Sequence, residues 1–142
     1  MIKNIKRLAL LLVAAAALLN VSCKKEDEIM KLDGTTWRFY YEGDIAGMEL
    51  IMNDQIHVLS ADSVHRRAYF VFMGDTIADA EETMPYTWDG LTLTLLVDAD
   101  NTMQLTYRAN DNVFFRVPDQ NDEETLQIMQ MLGLTEFVYI KQ

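Results

Sequence analysis

Disulfide bonding within the chain is closed off, because its 142 residues include one cysteine, Cys23. Histidine is almost as scarce, with His57 and His65 alone. They stand eight positions apart with no spare thiol to join them, so the pattern predicts no zinc site. Positive charge is thin, at 12 Lys and Arg against 22 Asp and Glu. Lys3, Lys6 and Arg7 precede Cys23 and every acid follows it, leaving nine basic against 22 acidic residues, a net charge of −13. That balance repels phosphate backbones and excludes nucleic acid as a partner. Nucleophiles are few as well, since only Ser60 and Ser63 follow Cys23. Ser60, Asp62, Ser63 and His65 lie close together, but a triad needs side chains converging from separate elements, and a turn explains them better. Asp98-Ala99-Asp100-Asn101 opens like a calcium loop, yet Met103 stands where the glycine is needed. The sequence therefore predicts a non-enzymatic protein with no metal and no cofactor.

The one long apolar run, Leu8 to Leu19, spans 12 residues. A membrane helix needs ~20, so this run is too short to span. Behind the positive Lys3, Lys6 and Arg7, and ahead of Asn20-Val21-Ser22, it reads as the core of a secretory signal over residues 1–22. In an oxidising compartment a lone thiol is a liability unless something consumes it. Leu18, Leu19 and Ser22 before Cys23 resemble the lipobox of bacterial lipoproteins, departing from it at Asn20, where an aliphatic residue is usual. The resemblance implies cleavage between Ser22 and Cys23 and acylation of Cys23. At about 0.8 kcal/mol per buried methylene, several acyl chains make a durable membrane anchor. Lys24-Lys25-Glu26-Asp27-Glu28 is similar to the lipoprotein export signal of the Bacteroidota. That likeness implies an outer-membrane lipoprotein facing the cell surface, the periplasm-facing leaflet being the alternative. Residues 23–32 then form a charged tether and residues 33–142 the folded domain.

Within the domain, short runs of β-formers alternate with turn residues. Thr35–Glu42 places Trp37, Phe39 and Tyr41 on one face and Arg38 on the other. Met48–Asn53 and Gln55–Ser60 follow as two strands, with Asn53-Asp54 turning between them. Ser63–Met73 is a longer strand, and the acidic Ala78–Glu82 reads as loop. Met84, Tyr86 and Trp88 alternate into Asp89-Gly90, a pair suited to two positive-φ turn positions. Leu91–Val97, Met103–Arg108 and Val113–Val117 continue the meander, the last with Val113, Phe115 and Val117 facing inward. After Pro118, Asn121 and Glu124 predict a capping box for a helix that Gly133 ends, and Phe137–Ile140 forms the last strand. The prediction is an all-β fold of about eight or nine strands with one short C-terminal helix, an antiparallel meander closing into a small barrel. A β-sandwich is the alternative.

Leu32-Asp33-Gly34-Thr35-Thr36-Trp37 and Tyr86–Leu93 resemble elements of lipocalin-like lipoproteins of the Bacteroidota. The resemblance implies a lipocalin-like barrel, with Trp37 closing one end and Trp37, Trp88 and Tyr107 as candidate ligand-binding residues. Asp62-Ser63-Val64 and Asp75-Thr76-Ile77 look like the short O-glycosylation sequon of that group, making Ser63 and Thr76 candidate modification sites. His65-Arg66-Arg67 is a basic island, open to reading as an anionic-glycan contact or as a solvated strand paired with Glu81 and Glu82. The expected partners are the membrane, through the anchor, and either a small apolar or saccharide ligand or an envelope protein. The alternative is a structural accessory of a surface glycan-uptake or adhesion complex with no ligand pocket.

Overall fold

The computed structural model describes residues 29–142, so residues 1–22, Cys23 and the Lys24–Glu28 segment lie outside the described residues. Lys31–Gln142 forms one compact unit. In chain order it contains β1 (Thr36–Ile45), β2 (Met48–Val58), β3 (Ser63–Phe72), β4 (Asp75–Trp88), β5 (Thr92–Leu96), β6 (Thr102–Arg108), β7 (Val113–Arg116), helix α1 (Glu123–Leu132) and β8 (Phe137–Lys141). Each strand pairs antiparallel with the next, and β8 returns to β1 through Trp37↔Lys141 and Arg38↔Ile140. The sheet is thus a closed up-and-down barrel, the small lipocalin-like architecture, and not a sandwich. Ladder, core and helix caps all lie inside this unit, which carries what it needs to fold alone.

Side-chain alternation explains the core. Trp37 and Phe39 of β1, Leu50, Ile56 and Val58 of β2, and Val64 of β3 point inward and are buried. Leu93, Leu95, Met103, Leu105, Phe114 and Tyr139 complete the interior from the other side. Burying such side chains contributes roughly 1.5–3 kcal/mol each against chain entropy. Two-residue turns at Ala46-Gly47 and Met73-Gly74, all four with positive φ, match the right-handed twist of their hairpins. At Asp89-Gly90 only Gly90 has positive φ. Asp89 acts instead through its carboxylate, which accepts from the Leu91 and Thr92 amides.

Four elements differ from the sequence prediction. Asn53-Asp54 is no turn but the middle of a continuous β2, paired to Tyr40 and Phe39 on one side and to Tyr69 and Ala68 on the other. These polar residues are buried inside a strand because both are satisfied there, Asn53 by Arg38 and Arg67, Asp54 by Arg66 and Tyr139. Ala78–Glu82 is not loop but part of the long β4, whose Asp75–Thr83 stretch is exposed throughout and so shows no apolar period. β4 meets β5 only over Tyr86–Trp88, leaving its earlier residues laddered to β3 alone among the described residues. In β7 the inward residues are Phe114 and Arg116, not Phe115 and Val117, because Phe114 pairs with Tyr139 and packs on Trp37. The helix starts one residue later than predicted, with Asp122 as N-cap accepting from the Thr125 amide. Gly133 caps its C-terminus in the left-handed conformation, as expected.

Candidate functional site

The barrel interior divides into an aromatic plug and a cavity. In the plug, the Phe114 ring meets Trp37 at 4.7 Å and Trp88 at 5.5 Å, both edge-on. Tyr107 closes the group, 6.3 Å from Trp37 and 6.2 Å from Trp88. The Trp37 indole N–H donates to Thr35 Oγ1, so this buried ring leaves no polar atom unpaired. The expected ligand-binding trio, Trp37, Trp88 and Tyr107, therefore packs on itself and is not among the side chains lining the cavity.

The cavity measures about 270 Å³. β1, β2, β3 and β8 supply Phe39, Met52, Phe70 and Phe137, and the small Ala68 and Ala80 leave the space open. Its polar wall is built from Asp54, Arg66, Arg116 and Tyr139. Asp54 and Arg66 are diagonal inward neighbours on adjacent strands, bonded twice at 2.8 Å in the bidentate fork–carboxylate arrangement. The Tyr139 hydroxyl donates to the same carboxylate at 2.7 Å. Burial, followed by the Asp54 charge, pushes the Tyr139 hydroxyl well above its ordinary pKa, so it stays a neutral donor. Burial also pulls Arg66 downward, but the Asp54 hydrogen bonds and charge outweigh it and hold the guanidinium above its ordinary value. Asp54 and Arg66 thus neutralise each other at the cavity wall.

Arg116 is placed differently. Its guanidinium lies 5.5 Å from the Phe137 ring centre, with Nη1 3.6 Å from Met103 Sδ. It lines both the cavity and an outer groove formed by Arg66, Thr102, Gln104, Asp119 and Asp122. The ion pairs among the described residues engage His65, Arg66, Arg67 and Arg108, not Arg116. Sequence reasoning missed this residue because it turned β7 the other way round. It missed Asp54 because an Asn-Asp pair reads as a turn.

The basic island is split by strand alternation. Arg66 points inward, whereas His65 pairs with Glu81 and Thr83, and Arg67 sits 3.9 Å from Asp79 on the outside. Ser60, Asp62, Ser63 and His65 do not converge, since Ser60 Oγ bonds Asp62 while His65 turns to β4. Outside the barrel His65 stands directly across from His57, which bonds Thr36. Among the described residues no three His, Cys, Asp or Glu side chains are arranged to hold a metal ion. Ser63 is half-buried at the start of β3, and Thr76 is exposed near the start of β4. The Asp98–Asn101 segment is a turn in which the Asp98 carboxylate accepts from the Asp100 and Asn101 amides.

Family models, curated proteins and solved structures offer no match to this chain. Function therefore rests on the geometry of the barrel and on the sequence of residues 18–28.

Proposed function

We propose that this chain is a non-enzymatic, lipid-anchored envelope protein whose barrel holds a small, largely apolar ligand. The cavity is the observation that carries the reading: at about 270 Å³ it falls just short of the ~300–1,000 Å³ usual for small-molecule sites, room for a small ligand only. Four large apolar side chains, against Arg116 and the self-satisfied Asp54–Arg66–Tyr139 cluster, suit an apolar or amphiphilic molecule better than a saccharide, whose hydroxyls need many partners. An accessory role without a pocket has less support, because Ala68 and Ala80 stand where larger side chains would fill the interior.

The signal peptide, acylation at Cys23 and outer-membrane display facing the cell surface belong to the same proposal, supported by the lipobox-like and export-signal-like residues 18–28. O-glycosylation at Ser63 and Thr76 is a subsidiary part of it. Two measurements test the reading. Radiolabelled palmitate fed to the expressing cell should label the wild-type chain and not Cys23→Ser. The Lys31–Gln142 unit should enhance the fluorescence of the neutral probe N-phenyl-1-naphthylamine, and Ala68→Phe should abolish the enhancement by filling the cavity. Equal enhancement by the two proteins sinks the cavity reading.

A further inference from the structure

Arg116 gives the cavity a chemical preference that its apolar walls alone would not. The other guanidinium at this wall, Arg66, is matched by Asp54 at 2.8 Å and faces Glu82 across the β3–β4 ladder. Arg116 has no carboxylate within ion-pair distance among the described residues. Asp119 and Asp122 line the outer groove and not the cavity, and Asp122 feels the Arg116 charge from there without reaching ion-pair distance. Held by a ring face and a thioether, the guanidinium is oriented by weak contacts that leave its N–H donors available. A half-buried cation against apolar walls attracts an anion more strongly than one in open water. It does so in a domain whose overall charge repels anions, so the selection is local.

We propose that the cavity takes a small amphiphilic carboxylate, its apolar body among Phe39, Phe70 and Phe137 and its head group on Arg116. The planar guanidinium fork fits a carboxylate's two oxygens. The cavity limits the body to a medium-length chain or one ring system. This inference rests on the ligand-binding reading above.

The test uses the Lys31–Gln142 unit with decanoate and decanol, which share a chain and differ in head-group charge. Both should displace N-phenyl-1-naphthylamine, decanoate with at least tenfold higher affinity at low salt. Arg116→Met should bring decanoate down to the level of decanol, while Arg116→Lys should keep part of the difference. Equal affinity of the two ligands for the wild-type protein overturns the carboxylate proposal and leaves the ligand-binding reading standing, as does a preference that survives Arg116→Met. Failure of the probe and of both ligands to bind overturns the two together.

Discussion

Toward one end of the barrel, Trp37, Trp88, Tyr107 and Phe114 meet edge to face with nothing between them. Toward the other, Asp54, Arg66, Arg116 and Tyr139 surround a space of about 270 Å³. Both regions are built from inward positions of the same strands, only one or two residue pairs apart: Trp37 and Phe39 of β1, Ile56 and Asp54 of β2, Phe114 and Arg116 of β7. The difference lies in volume and in satisfaction. Four rings fill the first region, and each of their pairwise contacts adds about 0.5–1.5 kcal/mol to the burial term. The second combines alanines with charged groups that need partners, so its stability depends on pairing and its emptiness leaves room for a ligand. A closed sheet lets one end carry the fold while the other keeps an open space.

Substitutions at each end sharpen that contrast. The largest effect is expected at the plug, where Trp37→Ala should cost about 3–5 kcal/mol in urea unfolding. A cost below ~1.5 kcal/mol would mean that this end is not what holds the barrel closed. At the polar wall, Asp54→Ala should cost about 2–4 kcal/mol by stranding Arg66 and the Tyr139 hydroxyl, less than a fully dry pair because Arg66 retains some solvent contact. The triple variant Asp54→Leu, Arg66→Met, Tyr139→Phe should recover most of that loss. If it is no more stable than the single variant, the cluster contributes packing and not pairing.

Tyr139→Phe alone should cost about 1 kcal/mol at neutral pH, since Asp54 keeps Arg66. Its sharper signature is alkaline. The folded-state pKa of Tyr139 is raised, so its contribution is complete below the unfolded value near 10 and is lost as pH climbs beyond it. Urea midpoints measured from pH 8 to 12 should fall less steeply for Tyr139→Phe than for the wild type. The smallest effect belongs to the turn that joins β4 to β5. Backbone amides of Thr92 and Leu91 hold the Asp89 carboxyl below its ordinary pKa, so its contribution is present above ~4 and fades as pH falls further. Asp89→Asn should lower Tm slightly at pH 7 and flatten the acid limb, with no change on the alkaline side.

The sequence was most legible where turn chemistry and alternation agreed. From Met84 to Arg108 the strands fall where expected, because Asp-Gly and Asp-Ala-Asp-Asn punctuate runs in which Met84, Tyr86, Leu93, Leu95, Met103 and Leu105 face the interior, although Leu91 lies exposed before β5 begins. Legibility failed where long-range partners decided the outcome. Asn53 and Asp54 have turn-forming side chains, yet Arg38, Arg66, Arg67 and Tyr139, distant in sequence, draw them into a strand. In β7, Val113, Phe115 and Val117 alternate as well as Phe114 and Arg116 do. Only the aromatic neighbours across the sheet settle which set turns inward. Both misreadings fell on the wall of the cavity, so the candidate site was the least readable part of the chain. A polar group inside a barrel leaves no hydrophobic period to detect.

The long β4 has a consequence for how copies of the barrel meet. Its unpaired flank carries Asp75, Asp79, Glu81 and Glu82 and ends near Pro85, which has no amide hydrogen to offer. A second molecule trying to extend the sheet there would bring like charges together and lose a ladder bond at the proline. That flank can thus stay exposed without becoming a seed for strand-by-strand aggregation.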